Sequence, residues 1–218
     1  MREKFSNYET MKQAMAASFL NYNQQKMIHQ FCLKFDEAYL YFTLLERSYR
    51  IDRTCGAVQW TQDFFQSAQE ADYNEAMTIY DVLCSAKEGC RPSGEFVNVS
   101  SLSAIQGGTL ARSGGIFQQT VAWFQGKTAL FSRACSALGG KAQSGGDAAF
   151  RLQLFPFLPI ILRYWDADED FPASMQVLVD KNILDYMHYE TVMFALSHVF
   201  RRLKEEAVRA QEASARRD

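Results

Sequence analysis

Asp166-Ala167-Asp168-Glu169-Asp170 sets four carboxylates in five residues, after Trp165 and before Phe171-Pro172. Carboxylates this close raise one another's pKa or recruit a cation, which suits acid/base chemistry or a hard metal. A solvated acidic turn has the same composition, so both readings stand. An EF-hand is excluded, because the segment lacks a central glycine and a glutamate closing a twelve-residue frame. Upstream, Gly139-Gly140 and Gly145-Gly146-Asp147 bound a glycine-rich loop whose amides and carbonyls can also face a ligand.

Other candidate motifs are weaker. Gly126-Lys127-Thr128 ends like a phosphate-binding loop, but Val121 stands where the first glycine must be and the preceding residues read as helix. Ser113-Gly114-Gly115, just before an expected helix, would offer free N–H groups to an anion, or is ordinary loop punctuation. His29, His188 and His198 form no metal-binding pair. His198 is expected on the polar face of the last helix; His188, near that helix's start, is the histidine to watch. Cys32, Cys55, Cys84, Cys90 and Cys135 are odd in number and scattered, which predicts reduced thiols and no structural metal.

The elements that must position these residues are legible in part. Ser6 to Glu9 has the form of a capping box, and Tyr8, Met11, Met15, Phe19 and Tyr22 recur at helical spacing. Tyr39 to Leu44, then Tyr49 and Ile51, read as a hairpin turning near Glu46 and Arg47. Asp72 and Glu75 open a second helix, with Tyr73, Met77, Tyr80 and Leu83 inward and Gly89 to end it. Arg91 to Gly115 reads mostly as loop, with a short strand at Phe96 to Val99, and Ile116 to Leu138 as helix broken at Gly126. Phe150, Leu152 and Leu154 alternate with polar residues, Pro156 and Pro159 turn the chain, and Ile160 to Trp165 return antiparallel. Met175, Val177 and Val179 mark another strand. A closing helix capped by Asp185 buries Val192, Leu196, Val199 and Leu203, with Arg201, Arg202, Glu205 and Glu206 toward solvent.

The expected class is α+β: a mainly antiparallel sheet of two hairpins packed with several helices. A single domain over residues 1–206 and a charged, frayed tail over 207–218 are expected. With 48% apolar residues in 218, there is material for a full core. A net charge of -2 lacks the basic excess that phosphate backbones attract, so nucleic acid is not expected as a partner. Met1 to Gln13 is polar, and the apolar run Leu154 to Leu162 is short and interrupted by prolines, so no membrane association and a cytoplasmic location are expected.

Leu138-Gly139-Gly140, Gly146-Asp147, Phe155-Pro156 with Pro159, Trp165 to Ala173, Val179-Asp180 and Glu190 together resemble a family known as domain of unknown function 3786. The likeness is strongest from Leu138 to Leu203 and looser from Phe35 onward. Glu46 stands where the family usually has glycine, and Asp170 where it has glutamate. The resemblance implies no activity. Some members adjoin a cysteine-rich iron–sulfur segment, which this chain lacks, so it implies at most a neighbourhood in anaerobic metabolism.

Three functions remain open: a non-catalytic ligand-binding or accessory module, a metal-dependent enzyme built on the acidic cluster, and a structural interaction protein. The first would draw its site from Gly139, Gly140, Gly145, Gly146, Asp147, Trp165, Asp166, Asp168, Glu169, Asp170 and Phe171, because hairpin pairing brings the outer ends of both strands together. Its ligand would be a small molecule or a protein. The cofactor and oligomeric state are not legible.

Overall fold

The computed structural model of the protein describes residues 7–102 and 109–216. These form helices and two antiparallel sheets of five strands, an α+β fold. They fall into two compact units. One holds the described residues up to Arg91 with Leu184–Ala195; the other holds those of Pro92–Ile183 and the chain from Leu196 onward.

The first unit opens with α1 (Asn7–Phe19) and α2 (Gln24–Phe31), then a sheet ordered β1 (Lys34–Phe35), β2 (Tyr39–Leu44), β3 (Arg47–Asp52), β4 (Val58–Thr61) and β5 (Gln69–Glu70). Ser6 of the expected capping box lies outside the described residues. The expected stripe of α1 is only partly buried: Phe19 is enclosed, but Tyr8 and Met11 are 64% and 50% exposed. The helix instead approaches through Ala16, whose carbonyl oxygen would sit 2.2 Å from a Cβ at Gly56. Only glycine admits that approach.

β2 and β3 make the expected hairpin, with Leu44 opposite Arg47 and Leu45-Glu46 as the turn. Both turn residues are left-handed, with φ of 46° and 57°, because a two-residue turn must match the strands' twist. Next comes α3 (Tyr73–Ser85), whose capping box is complete: Glu75 N–H donates to Asp72 Oδ1 at 2.9 Å, and Asp72 N–H to Glu75 Oε2 at 2.8 Å. Tyr80 and Leu83 are buried as expected, joined by Ala76, Ile79 and Val82. The helix stops at Ser85, four residues before Gly89.

The second unit carries β6 (Phe96–Asn98), α4 (Thr109–Phe124), α5 (Thr128–Ala137), β7 (Lys141–Ala142), β8 (Ala148–Phe155), β9 (Leu158–Trp165) and β10 (Ser174–Asp180). Its sheet order is β6-β10-β9-β8-β7. The two expected hairpins therefore centre two separate sheets. Gly126, with φ of 72°, breaks α4 from α5 as expected. Because α4 starts at Thr109, Ser113-Gly114-Gly115 lies inside a helix, where backbone N–H groups are committed to helical bonds, and the anion-binding reading is withdrawn. Phe131 of α5 stacks on Tyr164 at 5.0 Å and meets Phe150 at 6.4 Å, which fixes the core face of β8 and β9.

α6 (Tyr189–Ala215) departs from expectation in its cap and in what two of its polar positions face. Its start is capped by Asp81, not Asp185: His188 N–H donates to Asp81 Oδ2 at 2.7 Å, and His188 Nδ1 lies 2.7 Å from Oδ1. His198 is fully buried and Arg202 is 5% exposed, so neither faces solvent. The helix is covered on more than its apolar stripe, and Arg202 keeps its charge there by pairing with Glu205 and Glu206 at 3.3 and 3.1 Å. It remains helical through Ala215. Among the described residues no helix is long and apolar enough to cross a membrane.

Candidate functional site

The β8–β9 hairpin brings the glycine-rich loop and the acidic turn together. Asp166 N–H donates to Asp147 Oδ2 at 2.7 Å, and Asp147 N–H to the Tyr164 carbonyl at 2.9 Å. Gly146 has φ of 67°, and a Cβ there would lie 2.5 Å from the Tyr164 carbonyl oxygen. Its lack of a side chain lets the loop close onto β9. At the loop's other end, a Cβ on Gly140 would lie 2.5 Å from the Cys135 carbonyl oxygen, and the Gly139 and Gly140 N–H groups donate to Ser136 and Cys135. Gly145 sits against the Arg163 side chain. Close packing thus accounts for Gly140, Gly145 and Gly146, and a left-handed φ of 69° for Gly139.

The carboxylates divide into two kinds. Asp166 is an acceptor inside the fold: Oδ1 takes Gly126 N–H at 2.8 Å, Ala167 N–H at 2.9 Å and Tyr164 O–H at 3.2 Å, and Oδ2 takes Thr128 O–H at 2.7 Å. Burial would raise its pKa, but the donors outweigh burial and hold it below the ordinary value. The same burial, followed by the charge of Asp166, pushes the Tyr164 hydroxyl up. Asp168 Oδ1 closes the turn by accepting Asp170 N–H at 2.9 Å and Phe171 N–H at 2.7 Å. Glu169 and Asp170 are exposed, beside Trp165 at 37% and Phe171 at 71% exposure.

Gly126 and Thr128, set aside in the sequence as a false phosphate loop, are the start of α5 that Asp166 caps. Nothing within α5 signals this, since its own N-cap, Lys127, has no capping side chain. Asp180, fully buried, similarly holds the loop before β6 and the turn after β10, accepting Ser93 N–H, Gly94 N–H and Asn182 N–H each at 2.9 Å. No group of three or more His, Cys, Asp or Glu side chains among the described residues is arranged to hold a metal ion.

A family model described as Domain of unknown function (DUF3786) matches residues 23–202. The chain belongs to this family. The DUF3786 match takes in the hairpin, the glycine-rich loop and the acidic turn, and leaves out α1 and the last turns of α6. No curated protein and no solved structure matches the chain.

The first unit holds a feature not singled out in the sequence. Phe64 and Phe65 have φ of 56° and 65° in succession. Phe65 packs on Tyr41 and under the Arg50 guanidinium, at 5.8 and 4.7 Å, while Phe64 is 96% exposed. Asp63 fixes this loop by accepting Ser67 O–H and Thr61 O–H, both at 2.6 Å. Left-handed phenylalanines have no sequence signature, since the conformation is imposed by those bonds.

Proposed function

We propose that this chain is a non-catalytic accessory module of the cytoplasm that binds a positively charged ligand at the junction of the glycine-rich loop and the acidic turn. The supporting observation is the division of labour among the carboxylates. Asp166 is committed to protein donors on both oxygens, so it is poorly suited to bind a metal or carry a proton, whereas Glu169 and Asp170 project from a turn that Asp168 and Asp166 stiffen. Trp165 and Phe171 add exposed aromatic faces, which attract cations through their ring quadrupoles. Five free cysteines are consistent with a reducing compartment.

The test is titration with a short arginine-rich peptide, followed by NMR of the Trp165 indole, with an acidic peptide as control. Saturable shifts at Trp165 and Phe171 are expected. Phe171→Ala and the triple change Asp168→Asn, Glu169→Gln, Asp170→Asn should each weaken binding roughly tenfold. Undiminished affinity in the triple variant would exclude the site.

A further inference from the structure

Within the second unit, a groove of about 670 Å³ runs between α4 and the C-terminal half of α6, a volume typical of small-molecule sites. Trp123 of α4 and Phe200 and Val208 of α6 supply its apolar lining, and Arg201, Lys204 and Arg209 oppose Glu205 and Glu212. The pairing of these charges sets its polarity. Glu205 lies 3.3 Å from Arg202 and 3.8 Å from Arg201, and Arg209 lies 2.8 Å from Glu206. Among the described residues neither Lys204 nor Glu212 has an ion pair, and the three cations of the lining outnumber its two carboxylates.

Arg201 is held in place from behind. Its Nη2 lies 2.9 Å from Nδ1 of buried His198. A guanidinium only donates, so in this contact Nδ1 is the acceptor. That contact orients the Arg201 guanidinium without cancelling its charge. A planar apolar lining beside an oriented guanidinium and an ammonium is complementary to a planar organic anion, because guanidinium matches a carboxylate in two parallel bonds.

We propose that this groove binds a small aromatic carboxylate, its ring against Trp123 and Phe200 and its carboxylate between Arg201 and Lys204. The site is separate from the acidic turn and does not depend on the function proposed there. Lys204, Val208, Arg209 and Glu212 also lie beyond the span of the family match.

The experiment titrates the full chain with 2-naphthoate, and with uncharged 2-naphthalenemethanol, reading probe fluorescence and the NMR shift of the Trp123 indole. Naphthoate should bind saturably, one per chain, with shifts confined to α4 and α6. Lys204→Gln, which leaves the His198 contact intact, should weaken naphthoate roughly tenfold and leave naphthalenemethanol unchanged, since it removes one charge-assisted bond. Lys204→Arg should retain binding, and Trp123→Ala should weaken both probes. The proposal is overturned by non-saturable naphthoate binding, by shifts mapping elsewhere, or by equal naphthoate affinity in Lys204→Gln and the native chain.

Discussion

The Glu75 carboxylate lies 3.0 Å from the Arg47 guanidinium, with the two side chains 1% and 3% exposed. The same carboxylate accepts the Tyr49 hydroxyl at 2.7 Å and, through its other oxygen, the Asp72 N–H of the α3 capping box. Arg47 also lies over the Trp60 ring, 3.8 Å from its centroid. One buried acid thus ties the first hairpin to the start of α3.

Removing one partner of such a pair strands the other charge, so Arg47→Met should cost about 3–5 kcal/mol. Adding Glu75→Leu should recover part of that, though not the lost capping bond to Asp72. Urea denaturation of both singles and the double measures the coupling. Additive losses would show that the pair is not a unit.

Glu46 is exposed and left-handed, in a turn position that glycine adopts without strain. Glu46→Gly should raise stability by up to about 1 kcal/mol, the relief of strain being partly offset by glycine's freer unfolded chain. Leu45 is equally left-handed but fully buried. Leu45→Gly should therefore destabilise. Melting temperatures of the two variants should move in opposite directions.

Asp63 is pulled from the ordinary 3.8 to about 2, chiefly by the Ser67 and Thr61 hydroxyls. A lowered carboxylate pKa contributes stability that is complete above its unfolded value and is lost as pH falls through the folded one. Stability should thus decline between about pH 4 and pH 2, and Asp63→Asn should reduce the slope there while lowering stability at neutral pH. Denaturant midpoints across that range decide it; an unchanged slope would count against the Asp63 bonds.

At the acidic turn, Asp166→Asn should loosen the start of α5, because one amide oxygen replaces two acceptors serving Gly126, Thr128, Tyr164 and Ala167. Hydrogen exchange at the Gly126 N–H should speed up, a change expected to be much smaller in Asp170→Asn. Mg²⁺ or Ca²⁺ at saturating concentration should leave the melting temperature nearly unchanged. A bound ion at a hundredfold excess over its Kd would add about 2.7 kcal/mol, a shift of several degrees. Such a shift, lost in Asp168→Asn with Asp170→Asn, would bring the metal-dependent enzyme to the front.

What the sequence determined by itself is local. The alternation of Phe150, Leu152 and Leu154, the Asp72–Glu75 capping box, the break at Gly126 and the turn after Leu44 each depend on a few neighbouring residues, and each is present. The meeting of Asp147 with the residue after Trp165 followed from hairpin pairing. Tertiary structure alone decided which carboxylate serves which donor. Asp81 caps a helix start 107 positions away, and Asp166 caps one 38 positions before it. It also decided that His198 and Arg202 are enclosed, and that the two hairpins centre separate sheets. The reason is physical: a buried N–H needs some acceptor, and any carboxylate the fold brings within about 3 Å satisfies it. Helical periodicity reports one buried face, and a second covered face appears only when neighbouring elements pack against it.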